Sequence, residues 1–192
     1  MKVARRIAGE MKKHGIIRND EYNVYVYGLE LVVLKFIAGV IAIIVSIALN
    51  TTLFLFALLL FLIPIREYAG GVHAASRGAC LFLTEMILLV AQLIWKWNLW
   101  KETMQILAIL LCMIAVLLFA PSQNEKRRLS QQKRKRFRYI SILLCFINVA
   151  CYGMAFWIGW NLIKIAISLA MMIEAILLIL YGIERLKKSL IS

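Results

Sequence analysis

Between Phe36 and Ile65 the chain runs for thirty residues without a charged side chain. As one helix that run would be about 45 Å long, against a hydrocarbon core of about 30 Å. Two crossings joined at Asn50-Thr51-Thr52 fit a bilayer better. The second, Leu53 to Ile65, is short, so the bilayer thins locally or the helix continues past Arg66. Lipid offers backbone groups no partner, and the apolar runs are continuous rather than alternating, so the spans must be helices and not strands of a barrel. A chain that is 63% hydrophobic also has too few polar residues to cover a water-facing surface. The expected fold class is all-α, a polytopic membrane protein.

Four more runs follow. Leu81 to Ile94 is closed by Trp95-Lys96-Trp97-Asn98-Leu99-Trp100, whose indoles belong at an interface. Thr103 to Ala120 ends at Pro121, and Tyr139 to Ile158 is separated from Leu162 to Tyr181 by the uncharged Gly159-Trp160-Asn161. Six transmembrane helices put both termini on one side. The net charge of +13 gathers at Lys2, Arg5, Arg6, Lys12 and Lys13, in the basic loop 121–138, and at Arg185, Lys187 and Lys188. With N- and C-termini cytoplasmic, every basic segment falls inside and the charge-poor turns at Asn50 and Asn161 fall outside. Such flanks point to a membrane and argue against a nucleic acid partner.

Residues 1–28 form an N-terminal interfacial segment. In it Met1 to His14 places Val3, Ile7 and Met11 on one face of an amphipathic helix, with Lys2, Arg6, Lys12 and Lys13 elsewhere. It is not a signal peptide, since the first apolar run begins near Leu29 and no small-residue cleavage site follows. No internal repeat or separate soluble domain is evident, so 1–192 reads as one integral membrane domain.

The polar stretch from Arg66 to Cys80 stands out against this scaffold, with a histidine, a cysteine, two arginines and three glycines. Cys112, Cys145 and Cys151 sit inside apolar runs as small hydrophobes, and no CxxC pair or metal-ligand spacing supports a disulfide framework or a metal site. No cofactor is expected. A thiol becomes a nucleophile beside a histidine or at a helix N-terminus. Both surround Cys80 if the third span starts around Ser76. His73 and Cys80 are seven positions apart, which on one straight helix means about 10 Å along the axis, too far for proton transfer. The chain must therefore bend, and Gly70, Gly71 and Gly78 permit bends. The expectation is a bent or re-entrant catalytic segment, 66–80, between the second and third spans. His14 lies among lysines with no cysteine near it in sequence.

Arg66 and Arg77 either orient an acidic substrate group and help hold an oxyanion, or snorkel as flanking residues. Lys35, Glu85 and Glu174 come out roughly 7 to 10 Å inside the cytoplasmic boundary. Ionisable residues at that depth pair inward. Glu85 or Glu174 orients His73 as a third catalytic member, or the two neutralise Lys35, and the second is favoured. A peptide exporter or permease without enzymatic activity is the rival reading, because glycine-interrupted spans with inward ionisable residues are also what transporters show. A thiol-redox enzyme would want paired cysteines.

The order Arg66, Gly71, His73, Cys80, as Arg-x4-Gly-x-His-x6-Cys in a basic six-span chain of this length, resembles the accessory gene regulator protein B family, AgrB. That resemblance implies a bacterial membrane cysteine endopeptidase with its active site on the cytoplasmic side, His73 and Cys80 catalytic, and a homodimeric assembly. It implies as partner an AgrD-type propeptide with an amphipathic start, a central cysteine or serine and an acidic C-terminal tail, processed to a cyclic thiolactone or lactone quorum-sensing peptide. Lys133, Arg134, Lys135 and Arg136 of the basic loop then hold the acidic tail, with Arg66 and Arg77 nearer the scissile bond, or else serve anionic lipid and topology.

Overall fold

The computed structural model describes residues 2–18, 21–71, 77–122 and 131–191. Seven helices account for nearly all of them: α1 (Lys2–Lys13), α2 (Tyr22–Leu49), α3 (Thr52–Ala69), α4 (Arg77–Lys96), α5 (Glu102–Phe119), α6 (Gln131–Ile158) and α7 (Asn161–Ile191). Among the described residues there is no strand. Six helices, α2 to α7, are long and apolar enough to cross a membrane. The uncharged run divides as expected, with Asn50 in the left-handed region closing α2 and α3 beginning at Thr52. Helix α3 then runs through Pro64 and past Arg66 to Ala69, which lengthens the span that looked short.

Two boundaries differ from the sequence expectation. Residues 22–28, expected within the interfacial segment, already form the start of α2, and tyrosines at 22, 25 and 27 suit a helix passing through the headgroup layer. Helix α6 begins at Gln131, so Lys133, Arg134, Lys135, Arg136 and Arg138 stand on a helix and not in a loop. Gln, Lys and Arg are strong helix formers, and a span with such residues at its end extends into water without a break.

Helix α7 is the central post, with α5 and α3 making its most extensive contacts and α6 a further one. Ala166, Ala170 and Ala175 are fully or almost fully enclosed there. Small side chains let helix backbones approach, which matters in lipid, where apolar surface gains nothing by leaving its surroundings. Gly182 serves the same end: a Cβ on it would lie 2.5 Å from Phe119 Cε1 of α5. Helix α2 sits at the periphery, burying only Glu30, Ala42 and Ser46.

Because consecutive spans alternate in direction, the turns after α2, α4 and α6 share one face of the bundle. Hydrogen bonds tie that face together. Thr51 Oγ1 donates to Gln92 Oε1 at 2.7 Å, and Trp100 Nε1 donates to Ser168 Oγ at 3.0 Å. Tyr152 donates to Gln105 Oε1 at 3.0 Å, and the Lys164 ammonium meets Glu102 at 3.3 Å. The opposite face carries the ends of α3 and α5 and the starts of α4 and α6.

Helix α1 packs on α2 through Ala4 and Ala8, both fully buried, while Ile7 is 42% exposed. Ala4 and Ala8 allow α1 a close approach to α2, while Ile7, of the face expected to lie in the interface, is left outside that contact. Val3 has its side chain outside the described residues. At the end of α1, Lys13 donates a 2.8 Å hydrogen bond to Glu10, which raises the ammonium's pKa above its usual value.

Candidate active site at the end of α3 and the start of α4

Helix α3 ends in a turn that only glycine can make. Gly70 has φ 82 and Gly71 has φ 132, both in the region that L side chains rarely adopt. Space forbids a side chain as well. A Cβ on Gly70 would collide with Ser122 Oγ, and one on Gly71 with Arg66 Nη1. Two of the three glycines expected to bend the chain thus do so. Gly78, by contrast, lies in the first turn of α4 in ordinary helix.

The turn is gripped from both sides. Gly70 N donates to Arg66 O at 3.1 Å, and Arg66 Nη1 donates back to Gly70 O at 2.8 Å. The guanidinium also lies 3.7 Å from Oε2 of Glu174, which is fully enclosed on α7. On the other side, Ser122 N donates to Ala69 O at 2.9 Å, and Gly71 N donates to Ser122 Oγ at 2.6 Å. Two carbonyls that the helix end leaves over, those of Ala69 and Gly70, are satisfied by these partners.

His73 and Ser76 fall within 72–76, outside the described residues, and so does the side chain of Arg77. Cys80 is the fourth residue of α4 and half-buried, and its carbonyl accepts a hydrogen bond from Thr84 Oγ1 at 2.9 Å. The start of a helix presents backbone N–H groups without intrahelical partners and the positive end of the helix dipole. Chemically, such a position suits a sulfur nucleophile or an anion formed beside it.

The remaining candidates separate. Glu174 meets Arg66, and Lys35 stands exposed on α2, so Glu174 does not neutralise Lys35 as favoured from sequence. The reason is register: Glu174 faces the inside of the bundle from its central helix, whereas α2 lies at the edge. Glu85 is five residues beyond Cys80, about 140° around α4, and so is not on the cysteine's face. Its Oε1 is buried without a hydrogen bond. Lys133, Arg134, Lys135 and Arg136 are all exposed on the first turns of α6, and Arg138 donates to Leu117 O at 3.3 Å, tying α6 to the end of α5. Cys112 and Cys145 are enclosed in the core formed with α7. Among the described residues no group of three His, Cys, Asp or Glu could hold a metal ion.

The family model described as Accessory gene regulator B matches residues 4–178. The chain belongs to the accessory gene regulator B family. No curated protein and no solved structure shows significant similarity to it. Membership implies involvement in processing the autoinducer peptide of the accessory gene regulator system, with an AgrD-type propeptide as partner. The six apolar helices fit a multi-pass membrane protein of that kind.

In this accessory gene regulator B protein the match takes in the whole stretch from Arg66 to Cys80 and also Ser122 and Glu174. Sequence reasoning did not find Ser122, nor the partner of Glu174. Ser122 follows Pro121 at the end of an apolar run, where a serine carries no signal of its own. Depth counting placed Glu174 near the site but could not say which cation it would face.

Proposed function

We propose that this protein is a membrane-embedded cysteine endopeptidase that removes the acidic C-terminal tail of an AgrD-type propeptide, with Cys80 as nucleophile and His73 as its base. The observation that carries this reading is the placement of Cys80 in the first turn of α4, just after the Gly70–Gly71 turn, in a member of this family. His73 takes the proton from Sγ as sulfur bonds to the carbonyl carbon ahead of the tail. The carbon–nitrogen bond then breaks, His73 returns the proton to the departing amine, and a thioester remains on Cys80. The propeptide's own thiol attacks that thioester, the bond to Cys80 breaks, and a thiolactone closes while Cys80 regains its proton. A substrate serine in place of the thiol gives a lactone. One thioester replaces another of similar energy, so the ring competes with hydrolysis only where water is excluded. An amphipathic propeptide lying over a site at the membrane boundary excludes it.

The basic segments support a cytoplasmic location for this face and for both termini. Four exposed cations at the start of α6 also sit where the helix dipole disfavours positive charge, which makes an anionic neighbour welcome.

Full-length protein in proteoliposomes, given a synthetic propeptide, tests the reading. The wild type should release the tail and form a mass adduct on Cys80, whereas Cys80→Ala and His73→Ala should release none. Tail release by Cys80→Ala at the wild-type rate would end the protease reading and favour the exporter.

A further inference from the structure

Glu174 is fully enclosed on the central helix, and neither carboxylate oxygen has a hydrogen bond. A carboxylate at such a position within a span is costly and is retained where it has a task. What it faces is Arg66, 3.7 Å away. Arg66 in turn holds the Gly70 carbonyl, and its Nη1 fills the space that a Gly71 side chain would need. Arg66 retains 30% side-chain exposure near the end of its span, so its long side chain has another option open to it, which is to snorkel outward and carry its charge into water. The Glu174 carboxyl group behind it opposes that move. Released, the guanidinium would leave the Gly70 carbonyl, and among the described residues Ser122 would be the side chain still holding the turn.

We propose that Glu174 is a positioning residue, which acts through Arg66 on the Gly70–Gly71 turn, two residues ahead of His73 in the sequence. This rests on the reading of His73 and Cys80 as the catalytic pair. Proton transfer between two side chains depends on their distance, and a misplacement of about 1 Å can lower the rate about 100-fold. Glu174 is fully enclosed, so its effect on the reaction passes through Arg66. With Arg66 held against the turn, tail recognition falls to the cations of α6.

The test is steady-state cleavage by the full chain in proteoliposomes, with the fold of each variant checked by thermal unfolding. Glu174→Gln keeps the shape and removes the charge. It should lower kcat about 10- to 100-fold while KM stays within about threefold, because orientation and not binding is lost. Glu174→Gln combined with Arg66→Gln should be no slower than Arg66→Gln alone, since one residue works through the other. A kcat within about twofold of wild type, a loss confined to KM, or losses that multiply in the double variant would each overturn the proposal. If Glu174→Gln does not fold, Glu174→Asp decides in its place, because it keeps the charge but withdraws it by one methylene. A kcat lowered at least about threefold at constant KM upholds the proposal, and a smaller change or a raised KM overturns it. Cys80→Ala, run alongside, separates the two levels: cleavage by that variant removes the protease reading itself, whereas a dead Cys80→Ala beside a fully active Glu174→Gln removes only the role of Glu174.

Discussion

Gly71 and Ser122 show how much one backbone group can decide. The Gly71 N–H is satisfied by the Ser122 hydroxyl at 2.6 Å, in a partly buried place. Ser122→Ala leaves that donor without its partner, and the expected cost is about 1–3 kcal/mol, read as a lowered unfolding temperature in detergent. Gly71→Ala is harsher, since a methyl group must adopt φ 132 and displace Arg66 Nη1. Backbone strain alone adds about 1–3 kcal/mol, and tail release should be abolished even where the protein still folds. A Gly71→Ala variant with wild-type cleavage would show that the turn is not needed for the reaction. That glycines would bend the chain here could be read from their clustering between two apolar runs. Which of them bend could not, because Gly78 differs from Gly70 only in having a helix form around it.

At the scale of elements, α6 departs most from the sequence reading. Its charged start, expected as a loop, continues the helix from Gln131 and displays Lys133, Arg134, Lys135 and Arg136 to solvent. A helical platform fixes the spacing of four charges as a loop would not, which favours an acidic peptide of matching length. Replacing all four by glutamine should raise KM severalfold at low salt with little loss of kcat, and the variant should lose most of the wild type's dependence on ionic strength. An unchanged KM would assign these residues to lipid and topology. Hydropathy could not find this boundary, since a helix extending into water has no apolar face to reveal it. The interior of α6 was plain from its apolar run. Helix α1 teaches the converse: its amphipathic pattern was visible, but the contact with α2 uses Ala4 and Ala8, which periodicity ranks below Ile7.

The whole molecule is built around α7, which α5 approaches closely where Gly182 meets the Phe119 ring. Gly182→Val should push α5 off the post at a cost of about 1–3 kcal/mol, visible as a lower unfolding temperature, while Gly28→Ala, in open space on α2, should leave it unchanged. Equal effects from the two would mean that this contact does not hold α5 in place. The number of spans and their all-helical nature followed from the sequence alone. The reason is that lipid admits few backbone solutions, so a run of thirty uncharged residues leaves little else to form. Tertiary structure alone decided which helix stands at the centre, that Glu174 meets Arg66 and not Lys35, and that Ser122 closes the turn at Gly71. Those outcomes depend on how helices rotate against one another. In a bundle of nearly uniformly apolar helices that rotation is set by the fit of small residues and by a few buried polar groups, and neither leaves a periodic mark on the chain.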